Sequence, residues 1–419
     1  MRRLRPTLRK AVLGLIYTTA LVVWVALVAD TAGLAKQATE PPRFPSATPP
    51  APTATPRPPQ IVAAPTVQVL QDIEPAIPDQ RLASFHPKTG RYISAWLPDS
   101  FSSTNRASFE ANADILDEVS PFWYATNSRG DLLHGSDARD QTLVELAHSK
   151  NVLVIPTVHN VQTTDPVPAL LRNPERRARH IQNIVDEVLT HNYDGFDIDY
   201  EMMDSSLRDE YSAFIVDLGV ALHAQGKLLT IAVHAKTSDY GGLGGFQDWA
   251  VLGQAVDRLR IMTYDYHWRG GGPGPVAPIY WVRQVAEYAK SVVDPAKVVI
   301  GVPFYGYNWP RGGGNASAQT WDAIDSLIQT YGLTVNLAES NANGPIQENW
   351  ISYSGRTVWF ATSRSLDAKL DLVQQFDLAG IAIWRLGGED PRNWEVIRSR
   401  LLEDPFESQR MVNQVLPEH

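Results

Sequence analysis

The 419-residue chain contains no cysteine. That absence excludes disulfide staples, thiolate nucleophiles and cysteine-ligated zinc. It does not assign a redox compartment, because a chain this long can build a large core without disulfides. Positive charge is in short supply as well. Against 46 Asp and Glu stand 37 Lys and Arg, and the net charge of −9 argues against nucleic acid as a partner. No glycine-rich nucleotide loop follows the first strand candidate, Tyr92–Leu97, which disfavours a doubly wound dinucleotide-binding sheet. The glycine runs that do occur, Gly241–Gly245 and Gly270–Gly274, lack that context and read as flexible loops near a cleft mouth.

Long hydrophobic runs are missing save one. Arg2, Arg3, Arg5, Arg9 and Lys10 precede an uncharged, mainly apolar stretch from Ala11 to Ala29, long enough to span a bilayer as a helix. The basic flank should stay cytoplasmic, leaving the rest outside. A cleaved signal peptide is the alternative, with Gly33-Leu34-Ala35 as the cleavage candidate. Next comes a stretch rich in Pro, Ala and Thr that cannot bury enough apolar surface to fold and reads as an extended stalk. The expected organisation is an anchor or signal over residues 1–35, a disordered linker over 36–80, a folded region over 81–405 and a loose tail over 406–419. The expected location is extracytoplasmic, membrane-anchored or secreted.

Within the folded region, short apolar runs alternate with amphipathic stretches. Strand candidates are Tyr92–Leu97, Val119–Ala125, Val152–His159, Gly195–Tyr200, Leu228–Ala235, Leu259–Tyr264, Val298–Tyr305 and Gly380–Arg385. Leu207, Tyr211, Phe214, Ile215, Leu218 and Leu222 recur at helical spacing, with Gly226 placed as a C-terminal cap. Asp390-Pro391 reads as an N-cap followed by proline at the first helical position. Eight strand–helix pairs predict an α/β fold, a (β/α)8 barrel. The connection between the seventh and eighth strands is too long for one helix. A small inserted α+β subdomain, roughly residues 308–360, is expected there as one wall of the cleft.

The chemistry concentrates in Asp194-Gly195-Phe196-Asp197-Ile198-Asp199-Tyr200-Glu201. Alternation with a period of two sends Asp197, Asp199 and Glu201 to one face of a strand. Three crowded acids repel one another and resist joint burial, which is how a protein keeps one carboxyl protonated near neutral pH. Barrel enzymes carry reactive groups at the C-terminal strand ends, and Glu201 lies just past the fourth strand. Glu201 therefore reads as a general acid, with Asp199, and behind it Asp197, in a shared proton network.

These residues resemble a known family. The series from Asp194 to Glu201 is similar to the DxxDxDxE signature of family-18 glycoside hydrolases, which include chitinases. Met262-Thr263-Tyr264-Asp265 resembles that family's MxYD segment, Val302–Gly306 its seventh strand, and Ile383-Trp384 its eighth-strand tryptophan. The likeness implies retaining, substrate-assisted hydrolysis, in which the 2-acetamido oxygen of the sugar attacks the anomeric carbon. Glu201 would protonate the glycosidic oxygen and then activate water. Asp199 would hydrogen-bond the acetamido N–H, and Tyr264 would hold its carbonyl. Asp265 would contact the sugar or the acid network, Trp384 would floor the pocket, and Tyr305 would line it.

Ser120–Tyr124, Pro156–Asn160 and Trp384–Asp390 further resemble bacterial cell-wall members, including spore-cortex hydrolases. The implied partner is a GlcNAc-containing polysaccharide, peptidoglycan or chitin. Asn160 would either touch substrate or brace a loop. His159, His234 and His267 fall at strand ends, but no paired-histidine motif precedes the second strand. They read as hydrogen-bonded cleft histidines, and neither metal nor cofactor is expected. A non-catalytic glycan-binding module and a structural surface protein are the competing classes.

Overall fold

The computed structural model describes residues 85–401, apart from 99–101, 161–164 and 240–241. The N-terminal apolar stretch, the stalk and the C-terminal tail lie outside the described residues. The elements below all belong to one unit, Pro65–Val161 with Pro166–His419.

The strands, in chain order, are β1 (Tyr92–Leu97), β2 (Glu118–Pro121), β3 (Tyr124–Thr126), β4 (Leu132–His134), β5 (Leu153–Val154), β6 (Thr157–His159), β7 (Gly195–Asp199), β8 (Leu228–His234), β9 (Arg258–Met262) and β10 (Val298–Pro303). After these come β11 (Gly306–Pro310), β12 (Ser317–Gln319), β13 (Asn336–Asn341), β14 (Gly344–Tyr353), β15 (Arg356–Phe360) and β16 (Gly380–Trp384). β1 pairs in parallel with both β2 and β16. β2 pairs with β5 and β3 with β6, so β2–β3 and β5–β6 act as the second and third strands. Parallel pairing then runs through β6, β7, β8, β9, β10 and β16, which closes a (β/α)8 barrel.

The second and third strands are interrupted where single runs were expected. Proline explains both breaks, because it offers no N–H to a ladder. At Pro121 the chain folds back through a Trp123 N–H bond to the Pro121 carbonyl (2.9 Å). Pro156 still accepts the Asp197 N–H through its carbonyl (2.9 Å), so register carries across the gap.

Alternation sorts the strand residues. Phe196, Ile198, Leu229, Ile231, Leu259, Ile261 and Ile300 join the main core with helix residues such as Phe214, Leu218 and Leu222. The other phase forms a smaller interior cluster of Tyr92, Trp96, Ala232, Val299 and Ala382. That phase also carries buried Glu118, Ser120, Asp197, Asp199, Thr230 and Arg260. The helix Arg208–Ala224 buries the predicted stripe, and Gly226 follows with φ 64°. The last helix begins at Arg392, where Asp390 Oδ1 accepts the Arg392 N–H (3.1 Å).

Between β10 and β16 sits the expected insertion, starting two residues early at Gly306. Its five strands form an antiparallel sheet in the order β12-β11-β15-β14-β13, with the helix Trp321–Tyr331. Buried Glu348 on β14 ties it to the barrel by accepting the Val276 and Ala277 N–H groups (2.6 and 2.7 Å).

Candidate active site

Strand β7 delivers the acids in two phases. Phe196, Ile198 and Tyr200 point outward, and the Tyr200 hydroxyl bonds His180 Nε2 on the neighbouring helix (2.6 Å). Asp197 and Asp199 therefore point into the barrel. Asp194, at the entry to the strand, is a latch: its Oδ2 accepts the Val154 N–H (2.8 Å) and contacts His148 Nε2 (2.9 Å).

Asp197, expected from sequence in a shared proton network behind Asp199, takes its hydrogen bonds from other side chains. Its carboxylate is saturated by Thr157 and Thr230 hydroxyls (2.8 Å each), the Trp96 indole N–H (3.2 Å) and the Arg260 guanidinium. Arg260 also donates to Glu118 Oε1 (2.5 Å) and Ser120 Oγ (2.8 Å), and stacks over Trp96 (4.5 Å). Partners from β1, β6, β8 and β9 thus meet on this one carboxylate. Asp197 anchors the strand instead.

Asp199 is different. Its Oδ1 is buried and has no hydrogen-bond partner among the described residues. Burial first, then the neighbouring Glu201 and Asp197 charges, push its carboxyl well above the ordinary range, with Arg260 opposing. Glu201 is half-buried at the end of the strand, and burial followed by the Asp265 charge raises its carboxyl to about 7. Both acids are thus pushed toward their protonated forms.

Glu201 is gripped through its main chain. Asn160 Oδ1 accepts the Glu201 N–H (2.8 Å), and Asn160 Nδ2 donates to the Glu201 carbonyl (2.9 Å). Both ends of the Asn160 amide thus bond the Glu201 main chain, so it braces the acid. His234, ending β8, places Nε2 3.7 Å from Glu201 Oε2.

The next wall comes from the end of β9. Tyr264 lies near Asp199 and Glu201, whose charges, after burial itself, push its phenol well up. A Cβ on Gly301 would sit 2.8 Å from the Tyr264 ring, so glycine there allows that ring to lie against β10. Asp265, at φ 59°, accepts hydrogen bonds from Tyr305 and from Tyr307 (3.0 Å). Burial raises Asp265 and the two hydroxyls pull it back. The Tyr305 hydroxyl thus holds Asp265, and Tyr307 brings the insertion into the site.

Trp384 ends β16 among aromatic rings. It meets Trp96 and Phe122 edge-on (5.8 and 5.4 Å), and Phe122 stacks on His159 (4.9 Å). A cavity of about 160 Å³ lies beside it, lined by Tyr305, Tyr307, Thr320, Trp384 and Arg385 among others. His159, expected as a hydrogen-bonded histidine, is a stacked ring whose Nδ1 has no partner among the described residues. His267 does bond, Nδ1 to the Gly272 carbonyl (3.0 Å), and a Cβ on Gly270 or Gly274 would strike the Trp268 or His267 ring. That glycine run wraps aromatic rings.

Sequence reasoning missed Arg260, Glu118, Trp96, Thr157, Thr230 and Tyr307. A signal existed for two of them. Arg260 alternates with Leu259 and Ile261 on β9, and Glu118 with Val119 on β2, so the period-two reading used on β7 would have turned them inward.

The site thus offers a carboxyl raised to about 7 just past a strand end, a second acid with an open oxygen behind it, a tyrosine near both, and an indole beside a cavity. Comparison with known proteins identifies the set. The family profile "Glycosyl hydrolases family 18" matches residues 125–389. The chain belongs to glycosyl hydrolase family 18. YdhD of Bacillus subtilis (strain 168), provisionally named a sporulation-specific glycosylase, is 35% identical over 297 residues, covering 67% of this chain and 69% of that one. The cortical fragment-lytic enzyme of Bacillus anthracis is 29% identical over 256 residues, and this chain spans 59% of its length. The crystal structure of a chitinase from Chromobacterium violaceum superposes with a TM-score of 0.68 at 26% identity, covering 75% of this chain and all of that one. As a family 18 member the protein is a glycosidase.

Proposed function

We propose that this family 18 glycosidase hydrolyses β-N-acetylglucosaminyl linkages in peptidoglycan by substrate-assisted, retaining chemistry. The observation that carries the reading is Glu201, a carboxyl raised to about 7 at a strand end with Asp199 one pleat behind it. The acetamido oxygen attacks C1, the C1–O bond breaks, and the Glu201 proton goes to the departing oxygen. Asp199 Oδ1 accepts the acetamido N–H and stabilises the oxazolinium charge. Tyr264 holds the acetamido carbonyl in line and Trp384 lies beneath the ring. Water then adds at C1 as the bond from C1 to the acetamido oxygen breaks, which restores the acetamide, and the water proton returns to Glu201.

Replacing Glu201 with Gln should lower kcat on a GlcNAc oligomer by about 100- to 10,000-fold. Unchanged turnover would overturn the reading. The names of YdhD and the cortical fragment-lytic enzyme, together with the segments around Trp123 and Glu389, favour peptidoglycan. Chitin is the second reading, motivated by the chitinase superposition. Mass spectrometry of products from purified peptidoglycan and chitin oligomers separates the two.

The basic flank and apolar segment at the N-terminus support an extracytoplasmic placement, anchored or secreted. Fractionation of cells expressing the tagged full chain tests it. Recovery in the cytosol would sink it.

A further inference from the structure

His234 meets two groups through one nitrogen. The Met202 N–H donates to His234 Nε2 at 3.2 Å, and Glu201 Oε2 lies 3.7 Å from the same atom. Met202 holds φ 54°, a left-handed turn that aims its N–H back at the ring. The main chain that carries the ring is fixed from behind. The His234 main-chain N–H donates to Gln247 Oε1 (2.9 Å), and Gln247 Nε2 reaches the Tyr200 carbonyl (3.4 Å). Gly244 packs on it closely, since an added Cβ would lie 3.2 Å from His234 Cβ.

An imidazole nitrogen that accepts a hydrogen bond carries no proton, so the neutral ring is protonated at Nδ1. Protonating Nε2 as well would set two N–H groups head to head. We propose that His234 is a positioning residue for the hydrolysis: by accepting the Met202 N–H, its uncharged ring fixes the turn after Glu201 and covers the Glu201 carboxyl with an unprotonated nitrogen. Burial supports this, lowering His234 to about 4. The titratable groups facing Glu201 are Asp199, Asp265, Tyr264 and His234. Just past the end of β8 His234 is followed by Lys236, whose ammonium is bonded to the Gln247 carbonyl (2.5 Å) and lies 3.5 Å from Asp239. The inference rests on Glu201 being the general acid.

The test is the pH profile of kcat/KM on a GlcNAc oligomer for the full-length enzyme, His234→Ala and His234→Gln. Opening Glu201 to water should favour its charged form, so His234→Ala should move the basic limb down by about one pH unit. Gln reaches the same N–H with Oε1, and should restore most of the limb. A limb that stays in place while kcat falls at every pH overturns the proposal. Should His234→Ala fail to fold, ¹⁵N NMR of histidine-labelled wild type decides: His234 must remain neutral and protonated at Nδ1 from pH 8 to about 5. Titration above pH 6 overturns it. A Glu201→Gln enzyme with full activity would instead sink the general-acid reading itself.

Discussion

Arg260 and Asp197 face each other inside the barrel as an ion pair in which neither side chain has any exposure to solvent. Arg260 also neutralises Glu118, so one guanidinium answers two buried carboxylates. Breaking such a pair leaves uncompensated charge in a dry interior. Arg260→Met should therefore destabilise the fold by about 3–5 kcal/mol, read by urea denaturation. Arg260→Lys should recover only part, because an ammonium cannot bridge both acids as a planar fork does. A Met variant as stable as wild type would remove Asp197 from its anchoring role.

Asp265 raises Glu201 through its charge, second only to burial. Neutralising it removes a repulsion that favours the protonated acid, so Glu201 should fall from about 7. Since the general acid must carry its proton, the basic limb of kcat/KM should move to lower pH in Asp265→Asn. Movement to higher pH would show that Asp265 does not act on Glu201 by charge.

The barrel and its acids were legible because both rest on short-range alternation. Eight apolar runs announce parallel strands, and the period-two series ending at Glu201 turns three acids inward. What stayed hidden depends on the chain meeting itself at long range. Asn160 clasps a main chain 41 residues away, and nothing local distinguishes it from any loop amide. Arg260 reaches Glu118 across 142 residues. The insertion sheet was half visible: β14 and β15 contain readable runs, whereas β12 has only three residues and β13 is polar and exposed over its second half. The left-handed turn at Met202 has no glycine to mark it, since a methionine occupies it.

Glu201 also makes folding stability depend on pH. Its folded value is raised from 4.5 to about 7, so the native state binds its proton more tightly than the unfolded chain. That contribution is complete below the unfolded value and is lost as pH rises toward the folded one. Glu201→Gln does not titrate. Its stability relative to wild type should therefore climb between about pH 4 and pH 8, by up to about 3 kcal/mol. Urea melts across that range measure the difference directly. A difference that does not change with pH would mean the carboxyl ionises in the folded protein as freely as in water.

Asn160 holds Glu201 by two main-chain bonds and touches no part of its carboxyl in doing so. Its effect must therefore pass through geometry. Asn160→Ala removes both bonds and frees the strand end on which the acid rides. General-acid transfer needs the proton within hydrogen-bond reach of the leaving oxygen, and small misplacements are costly. Turnover should fall by about tenfold to a hundredfold, with KM changing much less. Asn160→Asp retains the acceptor for the Glu201 N–H but loses the donor to its carbonyl, and sets a new charge close to the acid. It should lose turnover too, and its basic limb should move upward, because added negative charge favours the protonated form of Glu201. An alanine variant whose KM rises while kcat holds would return Asn160 to the substrate-binding role that its place in the sequence first proposed.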